Sequence, residues 1–187
     1  MNKRVGVGYT LSMSRIALIP GLLLVLAACS LTVTVPLPDQ SLNLPGVTDT
    51  GGGIVYSGSA LSFDPPPVDV VQGIRVEGAI EASQPLNATL EFYARTQDPN
   101  QDPACTTPTF PGGGSGVYFC TGSSEDQEVG QVTFQNSQQA SFTLQGVKLA
   151  EGIKAGRLWL GIKASGLPPT PLTLTFHNMK AYVTVGF

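Results

Sequence analysis

Cys105 and Cys120 stand fifteen residues apart in a chain that has three cysteines and a single histidine, His177. Two chemistries are open to such a pair. The disulfide of an exported protein in an oxidising compartment is the default reading; the alternative is a Cys nucleophile paired with His177. The segment between them holds Pro108, Pro111 and the run Gly112-Gly113-Gly114-Ser115-Gly116. Closing a loop of that length stabilises a fold by about 3 kcal/mol on the chain-entropy account. Just upstream, Asp98, Asn100 and Asp102 put oxygen donors at alternate positions, the spacing with which a calcium loop begins. Glu125, Asp126 and Glu128 supply further carboxylates beyond Cys120. Pro103 occupies the place where a calcium loop turns on Gly, so a solvated acidic loop is the plainer reading and calcium the other. Trp159 alternates in register with Arg157 and Lys163, and Tyr93 with Glu91 and Arg95. An aromatic ring exposed among polar neighbours is a stacking platform for a sugar; the plainer reading is that Trp159 lies under the tether or a loop, or that its strand is covered on both faces.

Other catalytic signatures are missing. Ser115 has Gly113 two residues before it but Val117 two after, so no Gly-x-Ser-x-Gly elbow forms. No Walker A or dinucleotide fingerprint is present. A carboxylate pair of the glycosidase type has no fixed spacing, which leaves a hydrolase with such a site as the third functional reading.

The elements that must position these residues are strands. Ile74, Val76, Ile80 and Ala82 alternate with Arg75, Glu77 and Glu81; Leu90, Phe92 and Ala94 alternate with Glu91, Tyr93 and Arg95. Phe142 and Leu144, then Leu158, Leu160, Ile162 and Ala164, then Leu172, Leu174 and Phe176, and finally Ala181, Val183 and Val185 repeat the period of two. Turn signals separate them at Pro65-Pro66-Pro67, Gln84-Pro85-Leu86-Asn87, Glu151-Gly152 and Gly166-Leu167-Pro168-Pro169. No stretch shows a helical period with caps. The pattern predicts an all-β fold, an antiparallel β-sandwich or jelly-roll-like domain of about eight strands over residues 54–187. Residues 29–53, with Pro36, Pro38, Pro45 and Gly51-Gly52-Gly53, read as a flexible tether, although Leu31, Val33, Val35 and Leu37 alternate as an edge strand does.

Ahead of this lies a targeting segment. Lys3, Arg4 and Arg15 precede the apolar run 16–28, which is too short to span a bilayer as a helix and has the layout of a secretory signal. Its end, Leu26-Ala27-Ala28-Cys29, resembles the lipobox of bacterial lipoprotein precursors. The resemblance covers the first 29 residues and implies diacylglyceryl transfer to the Cys29 sulfur and cleavage after Ala28. In diderm bacteria that sort by the next residue, Ser30 implies the outer membrane. Met13 is a second possible start. Two or more acyl chains hold a protein stably on a membrane.

Charge agrees with anchoring by lipid rather than by attraction. The whole chain carries 10 basic and 13 acidic residues, and losing Lys3, Arg4 and Arg15 leaves a mature net charge of −6. Such a domain is repelled by anionic headgroups and has no basic surface for nucleic acid. The terminal Tyr182-Val183-Thr184-Val185-Gly186-Phe187 looks like the last strand of an outer-membrane barrel. With aromatics at 7% and charges on the strands' second faces, a closing sandwich strand is the plainer reading. The sequence therefore predicts a lipid-anchored envelope protein, non-catalytic, presenting its sandwich to another envelope protein. The alternative is a glycan or cell-wall binding module using Trp159 and Tyr93.

Overall fold

The computed structural model describes residues 30–46, 48–67, 71–108 and 116–186. Cys29 and the signal segment lie outside the described residues, as do Ser115 and Phe187. Two antiparallel sheets pack face to face, which is the predicted sandwich, but with twelve strands among the described residues rather than about eight. The first sheet runs β1 (Ser30–Pro36), β12 (Leu172–Gly186), β5 (Val71–Leu86), β10 (Ser137–Leu144), with β2 (Gln40–Leu44) also paired to β12. The second runs β7 (Cys105–Thr106), β8 (Val117–Cys120), β3 (Ile54–Ser57), β11 (Arg157–Ser165), β6 (Thr89–Arg95), β9 (Gln127–Thr133), with β4 (Leu61–Ser62) on the edge of β11. The additional strands are mostly pieces of two to five residues, some at sheet edges and some, like β3 and β8, inside the second sheet, too short for a period of two to announce them.

Alternation builds the core as expected. Phe92 of the second sheet meets Phe142 and Phe176 of the first, with ring centroids 5.1 and 6.0 Å away. Around this trio the inward residues Val76, Ile80, Leu90, Leu144, Leu174 and Val183 are wholly buried.

Two expectations change. Residues 30–44 are not a tether: β1 pairs along its whole length with β12, from Ser30↔Gly186 to Pro36↔Lys180, and β2 follows on the same strand. The alternation of Val33 and Val35 prevails over the prolines, because Pro36 falls at the end of an edge strand, where a missing N–H costs no ladder bond. The sandwich accordingly includes the described residues ahead of Ile54, from Ser30 on.

The second change is a helix, α1 (Val147–Ala155), where Glu151-Gly152 reads as a turn. It touches β5 of one sheet and β6, β9 and β11 of the other, closing one end of the sandwich. Leu149 and Ile153, one helical turn apart, plug the core there. Gly152 sits inside the helix because Leu158 Cβ lies 2.5 Å from where a side chain would start. Gly156 then stops the helix in the left-handed region, at φ 68°.

Candidate functional site

The residues singled out by chemistry converge. Trp159 pairs with Arg95, and Gly161 pairs with both Tyr93 and Tyr56, so these side chains share the face of the second sheet turned away from the main core. On that face Ile54, Tyr56, Cys120 and Trp159 form a second, smaller buried cluster, with Tyr93, Tyr118 and Cys105 packed against it. Gly161 makes room for it: a Cβ there would meet the Tyr56 ring at 2.5 Å. Residues 98–105 and 121–126 supply the polar partners that complete this layer.

Cys105 and Cys120 are bonded. They face each other directly across β7 and β8, with Cα atoms 4.0 Å apart. His177 sits on β12 in the other sheet, so the thiol–imidazole alternative does not arise. Its Nδ1 lies 2.9 Å from Asn178 Nδ2, and its Nε2 is buried without a partner.

At the centre is Arg95, wholly buried although its place in the alternation marks it as a polar-face residue. Its guanidinium is divided among five acceptors. Nε donates to the Gln97 carbonyl at 3.0 Å, and Nη1 to Cys105 Sγ at 2.9 Å and Cys120 Sγ at 3.3 Å. Nη2 donates to Asp102, and Asp126 Oδ1 lies 3.4 Å from Nη1. The Tyr56 ring lies under the cation, 5.4 Å from centroid to Cζ. No sequence pattern marks this role, because a strand's Arg is ordinarily solvated; the signal that existed was the number of acids placed in the two loops that follow.

The two carboxylates differ in their surroundings. Asp102 accepts from Ser123 Oγ, from the Ala104 N–H at 2.9 Å and from Arg95. Those bonds, Ser123's foremost, lower its pKa to about 2. Asp126 accepts from the Tyr56 hydroxyl at 2.8 Å, but its Oδ2 is buried without a partner. Burial raises its pKa, against the opposing pull of Tyr56 and Arg95. Tyr56 is itself raised, by burial first and by Asp126 second.

The calcium expectation meets this arrangement directly. Asp102 is committed to Arg95, whose charge already fills the role of the cation. Asp98 Oδ1 caps the short 3-10 turn Pro99–Gln101 by accepting from the Asn100 N–H at 2.9 Å. Among the described residues no three Asp, Glu, His or Cys side chains gather as a metal cage.

The stacking platform requires correction. Trp159 does share its face with Arg157 and Lys163, but it is only 3% exposed. The Arg157 guanidinium lies 4.4 Å over its ring and reaches toward Asp98 at 4.0 Å, so the strand is covered on both sides. Its Nε1 has no partner. Tyr93 is half-buried and donates to Glu91 at 3.1 Å; burial and that bond push its pKa up to about 12. A sugar has no open indole to stack on here.

A separate cavity of about 390 Å³ opens between the sheets at the end away from α1, lined by Leu44, Thr50, Val55, Val117 and Phe119 among others. No protein-family model matches the chain, and no curated protein matches its sequence.

Proposed function

We propose that this chain is a lipid-anchored protein of the bacterial cell envelope with a non-catalytic role, its sandwich presenting a surface to another envelope protein. The observation that carries the reading is that Ser30, the residue after the cysteine of the lipobox-like segment, is already paired with Gly186 in the sheet. An acylated Cys29 would then be joined to a paired strand with no slack between lipid and fold. β12 pairs antiparallel with β1 over seven residues and continues past it, fifteen residues in all, roughly 45 Å of strand. The apolar cavity at its far end thus faces away from the anchored end, where a partner would be met. The non-catalytic part rests on the Arg95 cluster: its ionisable groups are turned inward and, Asp126 Oδ2 apart, bonded to one another and to neighbouring polar groups, the pattern of a structural network rather than of an open site.

The test is native mass spectrometry of the full chain extracted from its own membrane in mild detergent. A mass for residues 29–187 plus acyl chains, in stoichiometric complex with a second protein, is the expected result. An acylated chain with no partner overturns the presenting role, and an unprocessed chain overturns the anchor. Cys29→Ser should release the protein from the membrane fraction.

A further inference from the structure

We infer that the end of the sandwich carrying the start of β1 and the start of α1 is seated in the lipid surface, with Leu31 and Val147 inserted at the level of the headgroups. Two large apolar side chains stay well exposed among the described residues: Leu31 at 52% and Val147 at 63%. Single exposed apolar residues are ordinary on a protein surface; their shared location is not. Leu31 lies one residue into β1, opposite Val185, at one edge of the first sheet. β10 forms the other edge and ends at Leu144↔Val76, three residues before Val147. Thr32, next to Leu31, and Gln145, two residues before Val147, line one shallow depression together with Arg75, Tyr182 and Thr184. Both exposed side chains therefore flank the same end.

That end is also where the chain leaves the described residues, at Ser30, toward Cys29. The inference rests on the lipoprotein reading above, which puts acyl chains one residue away. An anchor so close gives the protein's own end a high effective concentration at the surface, so two apolar contacts suffice for seating. Charge does not drive it. Lys148 is held by Glu125 at 2.9 Å and Glu151 at 3.3 Å, and the mature domain is acidic. Lys154, exposed on α1 and without an ion pair among the described residues, has a stem long enough to keep its ammonium in water beside inserted neighbours. Seating would fix the opposite end, with its cavity, pointing away from the bilayer.

The experiment uses the full chain, processed and acylated by its host and reconstituted into phosphatidylcholine–phosphatidylglycerol vesicles. An environment-sensitive fluorophore is placed at Val147→Cys and, as the far-end control, at Gln135→Cys in the turn between β9 and β10. The Val147 label should shift to the blue and be quenched by lipids carrying a headgroup-level nitroxide, while the Gln135 label stays water-like. Leu31→Asp in the Val147→Cys background should return that label toward water, with the circular dichroism spectrum unchanged. Equal, water-like emission from both sites on an acylated protein overturns the seating and leaves the anchor standing. A mass without acyl chains overturns the lipoprotein reading and this inference with it. Protection of Val147 in native membranes but not in pure vesicles also overturns it, assigning the end to a protein partner.

Discussion

The two buried layers on either face of the second sheet are held by different physics. Between the sheets, Phe92, Phe142 and Phe176 sit among aliphatic residues, and stability there follows the apolar area removed from water. On the other face the same strands bury Arg95, Tyr56 and Trp159 under two loops, held by directional bonds, one buried cation and the disulfide. The first layer is indifferent to pH and redox state. The second depends on both, and each of its charges is a liability if a partner is lost. A buried cation need not mark a reactive centre; here it ties two loops and a disulfide to a strand that would otherwise be exposed.

The sharpest way to break that contrast is to remove the cation. Arg95→Ala leaves Asp102 and Asp126 buried without their counter-charge and should destabilise by about 3–5 kcal/mol, read from urea unfolding. Phe142→Ala in the main core should cost a similar 3–5 kcal/mol. The two separate by pH: the Phe142 variant should keep the parent's acid sensitivity, whereas Arg95→Ala should change it. A pH profile that moves equally in both variants would mean the layers are not distinct.

Replacing both Cys105 and Cys120 by Ser is the next largest change, about 3 kcal/mol for a loop of this length, with thermal melting as the measurement. It should also loosen Arg95, which donates to both sulfurs, so the effects of Arg95→Ala and of the cysteine pair should fall short of additive.

The pH dependence itself is smaller. Asp102 falls to about 2 in the fold from an ordinary 3.8. Its contribution, about 2 kcal/mol, is fully present above pH 3.8 and is lost as pH falls toward 2. Asp126 is raised and so acts in the opposite sense: its ionisation costs stability as pH rises through the acid range. Asp102→Asn should flatten the acid limb of the stability curve, and a limb as steep as the parent's would exclude Asp102 as its source.

The smallest effect concerns Trp159. Its emission should be blue-shifted and resist iodide in the native protein, and soluble polysaccharide should leave it unchanged. Free quenching by iodide would reopen the stacking platform.

Periodicity carried the reading as far as the strands were long. The alternation at 74–82, 89–95 and 157–164 identified β5, β6 and β11 and their inward faces. β4 and β7, two residues each, have no period to detect. α1 went unseen for related reasons: it is nine residues long, begins after a glycine rather than a capping side chain, and contains Gly152. Of the candidate site, the cysteine pair was legible because the signal-like N-terminus predicts export, and two thiols at that spacing in an oxidising compartment ordinarily join. Arg95 was not, since its burial depends on loops that arrive from positions 98–105 and 121–126.

By itself the sequence determined the all-β class, the inward residues of the long strands and the pairing of Cys105 with Cys120, because a two-residue period and thiol chemistry are local facts. Tertiary structure decided the rest. Whether a polar-face side chain meets water depends on what a distant segment lays over it, and so Trp159 became core and Asp102 a partner for Arg95. Whether residues 30–44 form a leash or a sheet edge depended on β12, well over a hundred residues away, offering a free ladder of hydrogen bonds.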